Sequence, residues 1–186
     1  MHDIDKAFFL KWYGPFDSTK ALRDWEQNQN YSYHLYLLHG MKKYSKKKEC
    51  YYCGMTIRTA YQRLKDAEHH ITEIQNRKHA IYVARFSNVE SIDRKDICLV
   101  EKLITSYLGW SINEDKMLNR TNFYAPNCPN EICITNRWYN WKTGNEYQRT
   151  PVNSPAHIVP DVLVYRYDHL DKSVRLTIAP RLKFIW

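Results

Sequence analysis

Residues 31–54 read YSYHLYLLHGMKKYSKKKECYYCG, an apolar and aromatic run followed by a lysine-rich run and a second aromatic run. Residues 31–39 form an apolar, aromatic run that ends at Gly40, which is typical of a β-strand. A lysine-rich segment follows, and residues 49–54 have the composition of a returning strand. The stretch therefore predicts two antiparallel strands joined by a basic loop.

After this hairpin, apolar residues recur at helical spacing. In residues 59–76 they are separated by 4, 3, 4 and 3 positions, which predicts a helix. The same kind of reasoning predicts helices at 17–29 and 95–108 and a third strand at 79–86. The apolar positions of the 59–76 helix are Ala60, Leu64, Ala67, Ile71 and Ile74.

The last third of the chain gives a weaker pattern. Residues 124–160 are rich in Pro, Asn and aromatic residues without a period, which predicts a long irregular connection. Residues 162–167 and 174–178 alternate around a turn and predict a terminal β-hairpin.

The predicted fold class is α+β, with a small central antiparallel β-sheet flanked by helices and extensions at both ends. We expect a single domain over residues 1–186, since the chain is short for two independent cores. Its parts are a core at 31–122, an N-terminal helical extension at 1–30 and a C-terminal extension at 123–186.

Composition excludes some classes of protein. The chain is 44% hydrophobic and 26% charged, and no stretch approaches the roughly 18 consecutive apolar residues of a membrane span. The first residues carry acids instead of a basic leader. Five cysteines, an odd number, favour reduced thiols. We therefore expect a cytoplasmic protein that does not enter a membrane.

The positive charge is concentrated in one segment. Between Met41 and Arg85 there are eleven Lys and Arg residues against four acids, which accounts for +7 of the net charge of +8. Such a segment is either a solvated face or a surface that follows phosphates. The candidates for DNA contacts are Lys46, Lys47, Lys48, Arg58, Arg77 and Lys78.

Chemically useful residues occur in a fixed order on these elements. His34-Leu35-Tyr36 lies on the first strand, and Tyr52-Cys53-Gly54 begins sixteen residues after Tyr36. Arg63 follows on the next helix, Glu101 lies within the second strong helix, and Asn119 comes after it. This order resembles the GIY-YIG nuclease family over roughly residues 33–122.

The resemblance implies a role for each residue in phosphodiester hydrolysis. Tyr36 would be the phenolate base or position the water, and Tyr52 would orient water or phosphate. Arg63 would grip the scissile phosphate, and Glu101 would hold one Mg²⁺ or Mn²⁺, with waters and phosphate oxygens completing the shell. Asn119 would buttress Glu101 or the phosphate backbone.

The sequence departs from the family pattern at three positions. His34 replaces the first glycine and Cys53 replaces an isoleucine, neither of them catalytic in the family. Ala67 stands where many members place a histidine. On the predicted 59–76 helix, His70 lies within about 20° of Arg63 while His69 points away, so His70 is the expected polar partner.

A competing interpretation is a zinc site. Cys50 with Cys53 and Cys128 with Cys133 look like two ligand pairs, which would make the chain a zinc-stabilised nucleic-acid-binding module. If residues 49–54 form a strand, however, Cys50 and Cys53 point to opposite faces.

The leading hypothesis is a metal-dependent DNA endonuclease, specifically a compact restriction enzyme that acts on double-stranded DNA. We expect a homodimer formed by the C-terminal half, because two-fold symmetry matches a palindromic site. The alternatives are a catalytically weak DNA-binding protein and a nuclease specific for RNA or for nucleic-acid structure.

Overall fold

The computed structural model describes residues 4–30, 32, 34–87, 92–119, 131–147, 159–168 and 173–179, with the backbone alone for Arg77, Lys78 and Ser173. Its helices are α1 (Thr19–Glu26), α2 (Ala60–Leu64) and α3 (Arg94–Ile112), with 3-10 turns at His70–Glu73 and Glu114–Lys116. Its strands are β1 (Lys6–Phe16), β2 (Leu35–Lys42), β3 (Glu49–Met55), β4 (Ile74–Phe86), β5 (Ile132–Asn140), β6 (Val162–Asp168) and β7 (Ser173–Ala179).

One curled sheet contains all the described strands, in the order β3-β2-β4-β1-β5-β6-β7. Neighbouring strands are antiparallel except β1 and β5, which run parallel. The predicted fold class, a small central antiparallel sheet flanked by helices, is therefore wrong. The sheet is larger and mixed because two strands, β1 and β5, form where none was predicted.

Strand β1 lies in the middle of the sheet although residues 1–30 were predicted to be a helical extension. Its even-numbered apolar residues Phe8, Leu10, Trp12 and Phe16 are buried, whereas Phe9 is 47% exposed. This alternation is the pattern of a strand. The N-terminal segment therefore contributes to the core of the sheet and pairs with both β4 and β5.

Strand β5 occupies part of the predicted irregular connection. Ile132 and Ile134 are buried, but the next inward residue is the polar Asn136. The Asn136 amide accepts a hydrogen bond from Trp12 Nε1 at 2.8 Å and donates one to the Pro160 carbonyl at 2.9 Å. A buried asparagine interrupts the apolar alternation, and only its partners from distant segments explain why it is tolerated.

The predicted helix at 59–76 is much shorter than its apolar period suggests. A capping box between Thr59 and Gln62 starts α2, which already ends at Leu64. The 3-10 turn His70–Glu73 follows, and the chain then enters β4 at Ile74. Strand pairing with β2 buries Ile74 and replaces the helical continuation.

Other predicted elements are confirmed. Strands β2 and β3 form the antiparallel hairpin, β4 pairs with β2, and β6 with β7 forms the C-terminal hairpin. Helix α3 extends the predicted 95–108 helix at both ends.

Two apolar layers cover the two faces of the sheet near β2 and β3. Leu37 and Cys53 pack in one layer with Val100 of α3. The other layer contains Tyr36 and Cys50 together with Leu22 of α1 and Ala60 of α2. Among the described residues, no helix is both long and apolar enough to cross a membrane.

Candidate active site

Tyr36 and Tyr52 meet on the α2 side of the hairpin. Tyr36 on β2 is opposite Gly54 on β3, and Tyr52 is opposite Leu38, one pair further along. The two phenol rings stack at 5.9 Å between centroids. Tyr36 is fully buried and Tyr52 is partly exposed.

The Tyr36 ring fills the space that a side chain at Gly54 would need. A Cβ atom at Gly54 would lie 2.5 Å from the Tyr36 hydroxyl oxygen and 2.7 Å from the Tyr52 ring. Any larger residue would displace both phenols. The close approach of the two tyrosines across the strand pair therefore explains why residue 54 is a glycine.

His69 contacts the Tyr36 hydroxyl. Its Nε2 lies 2.9 Å from the Tyr36 oxygen, and its Nδ1 accepts a hydrogen bond from the Ile71 N–H at 3.1 Å. Burial and the neighbouring Arg63 lower the pKa of His69 to about 4, so the ring is neutral at pH 7. Since Nδ1 accepts, Nε2 carries the proton and donates to Tyr36.

His70, the histidine that the sequence favoured, occupies a different position. Its Nδ1 lies 2.6 Å from the Glu73 carboxylate, and its ring centroid is 4.8 Å from that of Tyr52. The helical angle on which the choice of His70 rested does not apply, because α2 ends at Leu64. His69 instead begins the 3-10 turn and reaches Tyr36.

The tyrosine pair is poorly solvated, and this controls its acidity. Burial raises the pKa of Tyr36 well above its usual value, opposed by the Arg63 guanidinium. Burial also raises the pKa of Tyr52. Hydrogen bonding between the phenols raises the pKa of Tyr36 and lowers that of Tyr52, so Tyr52 gives up its proton more readily than its neighbour.

Two arginines converge on one carboxylate oxygen beside this pair. Asp66 Oδ2 accepts from Arg63 Nη1 at 2.5 Å and from Arg58 Nη2 at 2.7 Å. The Arg63 guanidinium is also close enough to Tyr36 to lower the pKa of that phenol. An oxygen atom of another anion, such as a phosphate, could therefore take the place of this Asp66 oxygen. Asp66 was not singled out in the sequence.

Glu101 brings a carboxylate near β3 from α3. The Thr105 hydroxyl donates to its Oε1 at 3.3 Å, and among the described residues Glu101 forms no ion pair. Burial raises the pKa of Glu101 to about 7. Together with burial, the Glu101 charge raises the pKa of Tyr52 and Cys53. Helix α3 packs in the layer of Cys53, on the face of the sheet opposite Tyr36.

Asn119 holds the outer edge of β3. Its side-chain amide accepts from the Cys53 N–H at 3.1 Å and donates to the Cys53 carbonyl at 2.7 Å. The Leu118 N–H also donates to the Tyr51 carbonyl at 2.7 Å. Asn119 thus fixes the backbone between Tyr52 and Gly54, where the sequence suggested contact with Glu101 or with phosphate.

The structure describes the side chains of only some of the residues that were predicted to contact DNA. Lys46, Lys47 and Lys48 are exposed in the loop between β2 and β3, and Arg58 is exposed beside Asp66. The side chains of Arg77 and Lys78 lie outside the described part of the structure.

The first of the two proposed zinc ligand pairs does not assemble. Cys50 and Cys53 are free thiols that pack in the opposite apolar layers of the sheet, so they cannot bind one ion together. Cys128 lies outside the described residues, and Cys133 is a free thiol on β5. Among the described residues, no group of three or more His, Cys, Asp or Glu side chains is placed to hold a metal.

Comparison of the chain with protein-family models, with curated proteins and with solved structures found no significant match.

Gly54→Ala should destabilise the fold by about 1–3 kcal/mol, the usual scale for overpacking a tight core. The expected cause is the clash with the Tyr36 hydroxyl, so the loss should shrink in a Tyr36→Val background. Urea unfolding of the four proteins in this cycle measures the coupling. Equal losses in both backgrounds would show that Tyr36 is not the neighbour that requires glycine.

Asp66→Asn should free the two guanidiniums for an external anion. We expect inorganic phosphate to bind the variant about fivefold more tightly than the original chain, since an exposed ion pair contributes up to about 1 kcal/mol. Thermal unfolding across a phosphate titration measures this. Glu68→Gln, at an exposed position nearby, is the control, and an identical phosphate response in both variants would contradict the expectation.

Proposed function

We propose that this chain is a metal-dependent endonuclease that hydrolyses DNA phosphodiester bonds, with an active site of the kind used by GIY-YIG nucleases. The observation that carries the proposal is the grouping of Tyr36, Tyr52, His69 and Arg63 on one side of the hairpin. Glu101 approaches β3 from the α3 layer on the other side and raises the pKa of Tyr52.

The chemistry of Glu101 fits a divalent cation. A partly buried carboxylate with a raised pKa and only a hydroxyl donor beside it is costly to ionise, and a cation would remove this cost. Mg²⁺ often takes one protein carboxylate and fills its other positions with water and phosphate oxygens. Such a cation would neutralise charge on the phosphate and lower the pKa of nearby acids.

The arginine pair supplies the phosphate contact. Arg63 and Arg58 already place two N–H donors around one oxygen position, which Asp66 occupies. A scissile phosphate that displaced Asp66 would receive the same two hydrogen bonds. Arg63 would then bind the phosphate beside Tyr36, whose pKa it lowers.

The two tyrosines have different parts in the proposed reaction. The Tyr36 oxygen already accepts from His69 and is fully buried, so it is suited to positioning Arg63 and Tyr52. Tyr52 is the more accessible and the more acidic of the two, so its phenolate forms more readily and can accept a proton from water. As water attacks phosphorus, its proton would pass to the Tyr52 phenolate, and the departing oxygen would take a proton from solvent.

DNA is the proposed substrate because of the charge distribution. The segment that forms the β2–β3 loop, α2 and β4 carries most of the net charge of +8, and the arginine pair lies within it. Phosphate contacts by such a segment supply affinity without regard to sequence.

The finer assignments belong to the same proposal. In this proposal the chain is a cytoplasmic restriction enzyme that forms a homodimer through its C-terminal half. Its described cysteines are free thiols, as expected of a cytoplasmic protein. The proposed dimer contact, the β6–β7 hairpin, lies at one end of the strand order. Incubation with plasmid, single-stranded DNA and RNA, with and without Mg²⁺, tests the substrate, and a discrete ladder from plasmid would indicate sequence-specific cleavage.

Glu101→Gln should abolish cleavage and yet stabilise the fold at alkaline pH. The pKa of about 7 lies above the ordinary 4.5, so the stabilisation from the bound proton is complete below pH 4.5 and lost as pH rises through 7. At pH 8 the variant should therefore be more stable by up to about 3 kcal/mol, with little difference near pH 4.5.

Urea unfolding at both pH values, with and without millimolar Mg²⁺, measures this effect. Mg²⁺ should stabilise the original chain at pH 8 and leave Glu101→Gln unchanged. Glu114→Gln, at an exposed position, is the matched control. Undiminished cleavage in excess EDTA would refute the metal's role.

Tyr52→Phe and Tyr36→Phe should separate catalysis from stability. Tyr52→Phe should slow cleavage by at least ~100-fold with little loss of stability, because it removes the proton acceptor. Tyr36→Phe should also cost about 1–3 kcal/mol of stability, because the buried His69 donor loses its acceptor. For each variant, single-turnover kinetics measures the cleavage rate and urea unfolding measures the stability. A loss of cleavage below threefold in Tyr52→Phe would reject its assigned role.

A further inference from the structure

The loop between β2 and β3 presents one aromatic ring to solvent. Tyr44 is 94% exposed, more than any other large hydrophobic side chain among the described residues. Lys42, Lys43, Lys46, Lys47 and Lys48 surround it in the sequence, and the Lys43 ammonium lies 5.5 Å from the ring centroid. We call residues 42–48 the tyrosine loop.

The tyrosine loop has a defined backbone. Gln75 on β4 donates from its amide to the carbonyl of Lys42 at 3.1 Å and to that of Ser45 at 2.5 Å. The Lys43 N–H donates to the Glu73 carbonyl at 2.6 Å, and the Ser45 hydroxyl accepts from the Lys48 N–H at 2.9 Å. These bonds fasten the loop to β4 on one side and close it on itself on the other.

Tyr44 has a backbone conformation that bulky residues rarely adopt. Its φ is 63°, in the left-handed region that glycine and asparagine prefer. A tyrosine here gains no burial, and the bonds from Gln75 and Glu73 maintain the conformation. A fixed loop that holds a bare aromatic ring among lysines has the features of a stacking platform for an unpaired base.

We propose that Tyr44 stacks on an unpaired or extruded base of the nucleic acid while the loop lysines bind the flanking phosphates. This inference deepens the proposed function and rests on it for the identity of the ligand as DNA. Tyr36 and Lys42 are six residues apart on β2, a distance of about 20 Å at 3.3 Å per residue. Duplex DNA covers that length in roughly six nucleotides, so the stacked base lies away from the bond that is cut.

The experiment uses strands that carry 2-aminopurine, whose fluorescence falls when the base stacks on an aromatic ring. Three probes are titrated with the full chain in EDTA, so that binding is measured without cleavage. They are a single strand, the same strand fully paired, and a duplex in which the 2-aminopurine is bulged.

We expect quenching and tighter binding with the single-stranded and bulged probes than with the paired probe. Tyr44→Asn keeps a residue that accepts φ near 63° and removes the ring; it should abolish quenching and weaken binding to the bulged probe by about 5- to 150-fold. Tyr44→Phe keeps the ring and should retain both. Trp110→Ala removes an exposed aromatic ring on α3 and should change neither.

The outcomes for stacking and for cleavage are distinguishable. If Tyr44→Asn binds all three probes within twofold of the original chain, or if the original chain binds none of them, stacking is overturned. Quenching by the original chain without any cleavage in Mg²⁺ would support stacking and reject the nuclease function. Cleavage without quenching would reject stacking alone.

Discussion

The close approach of Tyr36 to Gly54 is the contact on which the candidate site depends. Because Gly54 has no Cβ, the phenol ring of Tyr36 can lie over the neighbouring strand, with its hydroxyl between His69 and Arg63. The absence of a side chain at Gly54 also leaves room for Tyr52 to stack against the Tyr36 ring. Strand pairing positions the two tyrosines, and Asn119 fixes the β3 backbone at Cys53 from the outer side of that strand.

Desolvation gives these groups their chemical character. Burial raises the pKa of Glu101 and of both tyrosines, and it lowers that of His69. Each shift favours the neutral form of its group. A divalent cation and a phosphate would change this balance together, because the cation favours ionised Glu101 and the phosphate replaces Asp66 on Arg63.

Local patterns predicted the hairpin, β4, α3 and the C-terminal hairpin, because period and turn signals are local. They failed where distant contacts decide the outcome. The apolar period of residues 59–76 continues past Leu64, but strand pairing with β2 takes Ile74 into the sheet. The polar Asn136 interrupts the apolar alternation of β5, so the strand was not predicted. Its contacts with Trp12 and Pro160 explain why it is buried there. The predicted site residues Tyr36 and Tyr52 do meet, whereas His69 was set aside because a helix was assumed.

Ala67 lies one helical turn after Arg63, and the imidazole that reaches Tyr36 comes from a later residue, His69. In a continuous helix, a histidine one turn after Arg63 would face the sheet. Here α2 ends early, and the turn that begins at His69 brings an imidazole to the Tyr36 oxygen. The Ile71 N–H fixes the ring as a donor to that oxygen. The point at which α2 ends therefore decides which histidine donates to Tyr36, and the spacing of residues in the sequence does not reveal it.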